Sequence, residues 1–135
     1  MNRLGPQRME HMKLQTVFLI VDDFHIVRKT IKHQLRSLGF TNIEEASDGK
    51  TALDVLAQKK IDFIISDWNM PGINGLEFLK QVRQDERHAA TPFLFLTAEA
   101  TEKAIQLAIQ AGTTNYVVKP FTFETLARKI KAILK

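Results

Sequence analysis

Two aspartates, Asp22 and Asp23, close one apolar run, and a third, Asp67, closes another. Thr97 closes a later run, and Lys119 ends the last of them, with Pro120 behind it. A lone buried acid is costly, so a carboxylate at the end of an apolar stretch asks for a partner. Three carboxylates brought together repel and raise one another's pKa. A hard divalent cation relieves that repulsion. Magnesium suits the task, because it accepts one or two carboxylates and keeps positions for water and phosphate oxygens. With an ammonium and a hydroxyl alongside, the set offers what in-line phosphoryl transfer needs. Positive charge steadies the equatorial oxygens while a carboxylate attacks, and the product is an acyl phosphate. Taken singly, each residue has a plainer use. Asp22, Asp23 or Asp67 can cap a helix or turn, Thr97 can end a strand, and Lys119 can sit in solvent. The combination on successive strand ends carries the weight.

The elements that must position these residues alternate along the chain. Strand-like runs occupy 17–22, 42–46, 62–66, 92–97 and 115–119. Helical periodicity lies between and after them. Phe24, Val27, Ile31, Leu35 and Leu38 mark the first helix face, and Ala52, Leu53 and Leu56 the second. Leu76, Leu79 and Val82 mark the third. Ala104, Ile105, Ala108 and Ala111 mark the fourth, and Leu126, Ile130 and Ile133 the fifth. Gly39 and Gly112 stand where the first and fourth helices should stop. Five βα units predict a doubly wound, flavodoxin-like α/β fold: a five-stranded parallel sheet flanked by five helices. Strand order 2-1-3-4-5 puts the polar second run at an edge and the acid-bearing first and third at the centre. Ligands of such sheets bind outside the carboxyl ends of the strands, where all five candidate residues fall.

The chain has 135 residues, 44% hydrophobic and 25% charged, which is one domain of ordinary globular balance. It has no cysteine, so disulfides, thiolate metal sites and cysteine nucleophiles are excluded. No apolar run approaches the roughly 18 residues of a membrane helix. Residues 1–13 read as a loose leader or a remnant outside the natural chain, and 14–135 as the domain. The leader holds Arg3, Arg8 and Lys13 against Glu10, which is half of the net charge of +4. Arg28, Lys29, Lys32, His33 and Arg36 give the first helix a basic exterior, which solvation explains better than nucleic-acid binding. His25 is read as a solvated first-turn histidine, with a place near the acids as the alternative.

The stretches "VDDF" (21–24), "EEASDG" (44–49), "SDWNMPGINGLEFLK" (66–80), "TAEA" (97–100) and "AGTTNYVVKPF" (111–121), in that order, carry a resemblance. The chain resembles response-regulator receiver domains, in particular the CheY-like chemotaxis regulators, over roughly residues 16–134. The resemblance implies Asp67 as phosphoacceptor and Mg2+ held by Asp23 and Asp67, by Asp22 mainly through water, and by the Asn69 carbonyl. It implies phosphoryl and switch contacts from Thr97, Ala98 and Lys119, inward rotation of Tyr116, and a cis Lys119–Pro120 bond. Asn69 and Glu99 are implied to tune dephosphorylation, and Ala100, Lys103, Tyr116 and Lys119 to form the output face. It further implies a cytoplasmic signalling protein that is not an enzyme acting on a separate substrate, and an output face that is only moderately apolar leads us to expect a monomer. A histidine kinase would be the phosphodonor, the flagellar motor switch or another effector the target, and a phosphatase a further partner. A phosphorelay intermediate is the alternative. Asn74 stands where the family usually has Asp, and Thr101-Glu102-Lys103 replaces a more basic start of the fourth helix. A magnesium phosphatase of small molecules would need an acid two residues after its nucleophile, where Asn69 stands.

Overall fold

The computed structural model describes residues 11–98 and 101–135. A 3-10 turn at His11–Gln15 leads into β1 (Val17–Val21) and α1 (His25–Ser37). Then follow β2 (Asn42–Ala46), α2 (Gly49–Gln58), β3 (Phe63–Asp67) and α3 (Gly75–Gln84). After a 3-10 turn at Glu86–His88 come β4 (Phe93–Thr97), α4 (Glu102–Ala111), β5 (Asn115–Val118) and α5 (Phe123–Leu134). All strand pairs are parallel, and the sheet order is β2-β1-β3-β4-β5, as the alternation predicts.

The pleat sorts the apolar strands into two cores. Phe18, Ile20, Phe63, Ile65, Leu94 and Leu96 face α1 and α5, against Ile31, Leu35, Leu126 and Ile130. Leu19, Val21, Ile64, Phe93 and Phe95 face α2, α3 and α4, against Ala52, Leu56, Phe78, Leu79, Val82 and Ala108. Because both faces of β3 and β4 are covered, every residue in them is buried. β2 is only partly buried until Ala46, in keeping with its place at the edge.

Four of the five helices begin with a side-chain cap. Asp48, Asn74, Thr101 and Thr122 each accept the N–H three residues on. Asn74 is thus the cap of α3, a task it performs as well as Asp would. Gly112 stops α4 at φ 99 and Gly39 follows α1 at φ 105, backbone that side-chain-bearing residues rarely adopt. The first helix departs from expectation. Phe24 stands before it as an uncapped, extended residue and is 62% exposed, so it does not belong to the buried face. Phe78, absent from the expected stripe of α3, is fully buried. Among the described residues, no helix is long and apolar enough to cross a membrane.

Candidate acidic site at the carboxyl edge of the sheet

Strand ends carry the candidate residues to one edge. Asp67 is the last residue of β3, and its neighbour in register on β4 is Leu96, one before Thr97. Asp22 follows β1, its N–H donating to the Ala46 carbonyl of β2 at 3.2 Å. Lys119 follows β5, its N–H donating to the Thr97 carbonyl at 2.8 Å. The Lys119–Pro120 bond is cis.

Side chains then meet across the strand ends. Lys119 Nζ lies 3.0 Å from Asp67 Oδ1 and 3.4 Å from Asp22 Oδ2. Asp67 Oδ1 also accepts the Trp68 N–H at 2.8 Å, and Asp22 Oδ1 accepts the Phe24 N–H at 2.9 Å. Asp22, Asp23 and Asp67 each offer a carboxylate oxygen, and these oxygens lie within 4.8 Å of one another. Asp22 is fully shut from solvent and Asp67 nearly so, while Asp23 is the most open of the three. Burial pushes the Asp22 carboxyl above its ordinary value. The Phe24 N–H opposes that, the Asp67 charge adds to it, and Lys119 opposes it again. One ammonium therefore does not neutralise the group. Three hard oxygen donors, one of them fully desolvated, fit a small divalent cation of magnesium's kind better than a soft metal.

The loop after Asp67 is packed tightly beneath the site. Trp68 packs against Phe95 with ring centroids 4.9 Å apart and the planes tilted by 41°. The Gly75 N–H donates to the Trp68 carbonyl at 2.7 Å. A Cβ on Gly75 would stand 2.4 Å from the Asp67 carbonyl oxygen, so only glycine allows α3 to start this close. Ser66, fully buried, donates from Oγ to that same carbonyl at 3.0 Å.

The other expected residues take varied places. Thr97 is buried at the end of β4, beside the site, and Ala98 is exposed after it. Asn69 is exposed on the loop two positions past Asp67. Tyr116 is half-buried against the α2–α4 core, with Lys129 Nζ 5.5 Å from its ring centroid. Lys103 is exposed on α4. Glu99 and Ala100 lie outside the described residues. His25 is exposed and borders a basic groove of about 330 Å3 with Lys29, Lys32, His33, Arg36 and Glu45. Sequence reasoning missed Ser66 and the packing role of Gly75. It also grouped Arg28 with a solvated face, whereas Arg28 Nη1 donates to the Asp22 carbonyl at 2.7 Å.

The profile of the response regulator receiver domain matches residues 18–131. The Chemotaxis protein CheY of Pseudomonas aeruginosa is 52% identical over 117 residues, 87% of this chain and 94% of that protein. Chemotaxis protein CheY-3 of Vibrio cholerae is 49% identical over 117 residues, 87% of this chain and 90% of that protein. The solved structure of Vibrio cholerae CheY4 superimposes with a TM-score of 0.83 at 37% identity, covering 87% of this chain and 98% of the other. The receiver domain of a Pseudomonas aeruginosa sensor histidine kinase, solved with a magnesium ion coordinated in its active site cleft, gives 0.80 at 28% identity, covering 88% and 97%. The chain belongs to the response regulator receiver domain family.

Proposed function

We propose that the chain is a response regulator of a two-component system serving chemotaxis, with residues 14–135 as its receiver unit and Asp67 as its phosphoacceptor. The observation that carries this reading is the pairing of Asp67 Oδ1 with Lys119 Nζ at 3.0 Å, inside a set of three carboxylates whose oxygens lie within 4.8 Å. The chemotaxis assignment is supported by relatives of that name, which the chain matches over 90% or more of their length.

A histidine kinase donates the phosphoryl group. The Asp67 carboxylate attacks phosphorus in line as the donor's N–P bond breaks. The departing nitrogen keeps the bonding pair, and an aspartyl phosphate forms. Both bonds described for Asp67 fall on Oδ1, which leaves Oδ2 as the attacking oxygen. Asp23, Asp67 and the Asn69 carbonyl, with Asp22 mainly through water, would hold Mg2+, which would supply positive charge for the developing equatorial oxygens. Lys119 exchanges its carboxylate partner for a phosphoryl oxygen, and Thr97, with the Ala98 main chain, closes on another. Tyr116 then turns inward. These shifts bias a two-state equilibrium that alters the face around Ala100, Lys103, Tyr116 and Lys119. That face docks on the flagellar motor switch. Water ends the signal by hydrolysing the acyl phosphate, at a rate tuned by Asn69 and Glu99 and raised by a phosphatase. The protein works as a cytoplasmic monomer.

Trp68 adjoins Asp67, so its fluorescence tests the reading. Magnesium produces a saturable change, and acetyl phosphate or beryllofluoride a second. Mass spectrometry finds one added phosphate after acetyl phosphate treatment. Asp67→Asn abolishes the second change and the added phosphate. A wild-type chain that takes no phosphate would refute the proposal.

A further inference from the structure

The main-chain oxygen at the end of β1 is held by a side chain outside the acidic cluster. Arg28, in the first turn of α1, donates from Nη1 to the Asp22 carbonyl at 2.7 Å and from Nε to Glu45 Oε1 of β2 at 3.1 Å. Glu45 Oε2 accepts from Lys32 Nζ at 2.5 Å. Lys32 chiefly, then Arg28, hold the Glu45 carboxyl below its ordinary value, although burial opposes them. The Arg28 side chain is only 15% exposed. This removes Arg28 and Lys32 from the solvated basic face suggested by the spacing of α1.

The consequence falls on Asp22. Its N–H is tied to Ala46 and its carbonyl to Arg28, so the residue is pinned on both sides of its Cα. A desolvated carboxylate facing Asp67 gains by turning away from it. The pinned main chain fixes the direction of the Cα–Cβ bond and keeps Oδ1 within reach of the Phe24 N–H, which holds the carboxyl about that bond. The grip needs a fork, because the two acceptors lie on different elements and Arg28 spans them with Nε and Nη1. A single ammonium reaches one or the other.

We propose that Arg28, braced by Glu45, is a positioning residue that holds the Asp22 carboxylate in the divalent-cation site. The inference rests on reading that site as a magnesium-dependent phosphoacceptor. Charge alone acts in the opposite direction. Deleting a cation beside three carboxylates should tighten Mg2+ binding, whereas losing the grip should weaken it.

The test uses Arg28→Met, Arg28→Lys, Glu45→Gln and, as an exposed neighbour on the same helix, Lys29→Met. Two quantities are read: the Mg2+ Kd from Trp68 fluorescence, and amide hydrogen exchange at Phe24 in the metal-free protein. The Phe24 N–H donates to Asp22 Oδ1, so its exchange reports whether that carboxylate stays in place. Arg28→Met should raise the Kd about tenfold, the scale of losing a group that orients a metal ligand. Arg28→Lys should weaken binding despite keeping its charge, Glu45→Gln should raise the Kd about threefold, and Lys29→Met should not weaken it. Phe24 exchange should speed up in Arg28→Met, while Ile31 and Leu35 within α1 keep their protection. A Kd in Arg28→Met that is unchanged or lowered overturns the proposal, as does unchanged Phe24 exchange. Should the wild-type chain bind no Mg2+, the functional reading fails, and Phe24 exchange alone decides whether Arg28 holds Asp22.

Discussion

At the amino ends of the strands, Asp62 accepts the Val17 N–H at 2.9 Å and Thr114 Oγ1 accepts the Phe93 N–H at 2.9 Å. At the carboxyl ends, Asp22 and Asp67 likewise each accept a main-chain N–H, from Phe24 and Trp68, but they also meet Lys119. The amino end is otherwise stapled by Arg83, which donates to the carbonyls of Gly112, His88 and Thr91. A groove of about 680 Å3 also lies there, between Ala57–Asp62 and Glu86–Pro92. Yet Lys59 is paired with Glu44 and Arg87 with Asp85. Space does not mark the end of the sheet that carries the candidate site. What marks it is a set of charged side chains facing each other, with Asp22 and Asp67 each also accepting one main-chain N–H.

The largest expected effect breaks the functional end alone. Lys119→Met removes the cation shared by the two buried acids. Phosphorylation of Asp67 by acetyl phosphate should slow by about 10²–10³-fold, the scale of losing one preorganised charge donor. Stopped-flow Trp68 fluorescence follows it.

A paired substitution then compares the two ends in stability. Gly75→Ala drives a methyl group against the Asp67 carbonyl and should cost about 2–3 kcal/mol in urea unfolding. Thr114→Val at the other end loses one bond to the Phe93 N–H and should cost about 1 kcal/mol, with phosphorylation unchanged. Equal costs would erase the contrast in packing.

The smallest effect is one of sign. The Asp22 carboxyl is raised in the folded chain, chiefly by burial. The folded state therefore holds the Asp22 proton more tightly than the unfolded state does. In the metal-free protein, its contribution to stability grows as pH falls through the raised folded value towards 3.8, and then levels. Asp85, near the amino end, behaves oppositely. Hydrogen bonds from Arg87 lower it to about 2. Its contribution is present above 3.8 and lost as pH falls through about 2. Asp22→Asn should raise the metal-free melting temperature at neutral pH and flatten the acid-side gain, whereas Asp85→Asn should leave that gain in place. Thermal melts across the pH series check both.

Much of this was legible in the sequence for a physical reason. A parallel sheet buries its strands on both faces, so each strand is a mostly apolar run, and the first charged residue after that run marks its end. That rule finds Asp22, Asp67 and Lys119. It misplaces Phe24, which falls on the helical period three residues before Val27 yet stands outside the helix, exposed. Nor does it find Arg28 or Glu45. Each is one charge among several on its element, and only the packing of α1 over β2 makes them partners. Gly75 falls within the stretch 66–80 that carries the resemblance, but its contact with the Asp67 carbonyl is a matter of distance, which spacing does not carry.

Lys119 lies 97 positions after Asp22 and 52 after Asp67 in the chain. On the ribosome, the two acids emerge long before the ammonium that holds them together. A nascent chain halted before β5, or one cut there by a protease, presents a repelling pair without its cation. Such a fragment lacks the ammonium that bridges the two acids, so the charged cluster is complete only once β5 is in place.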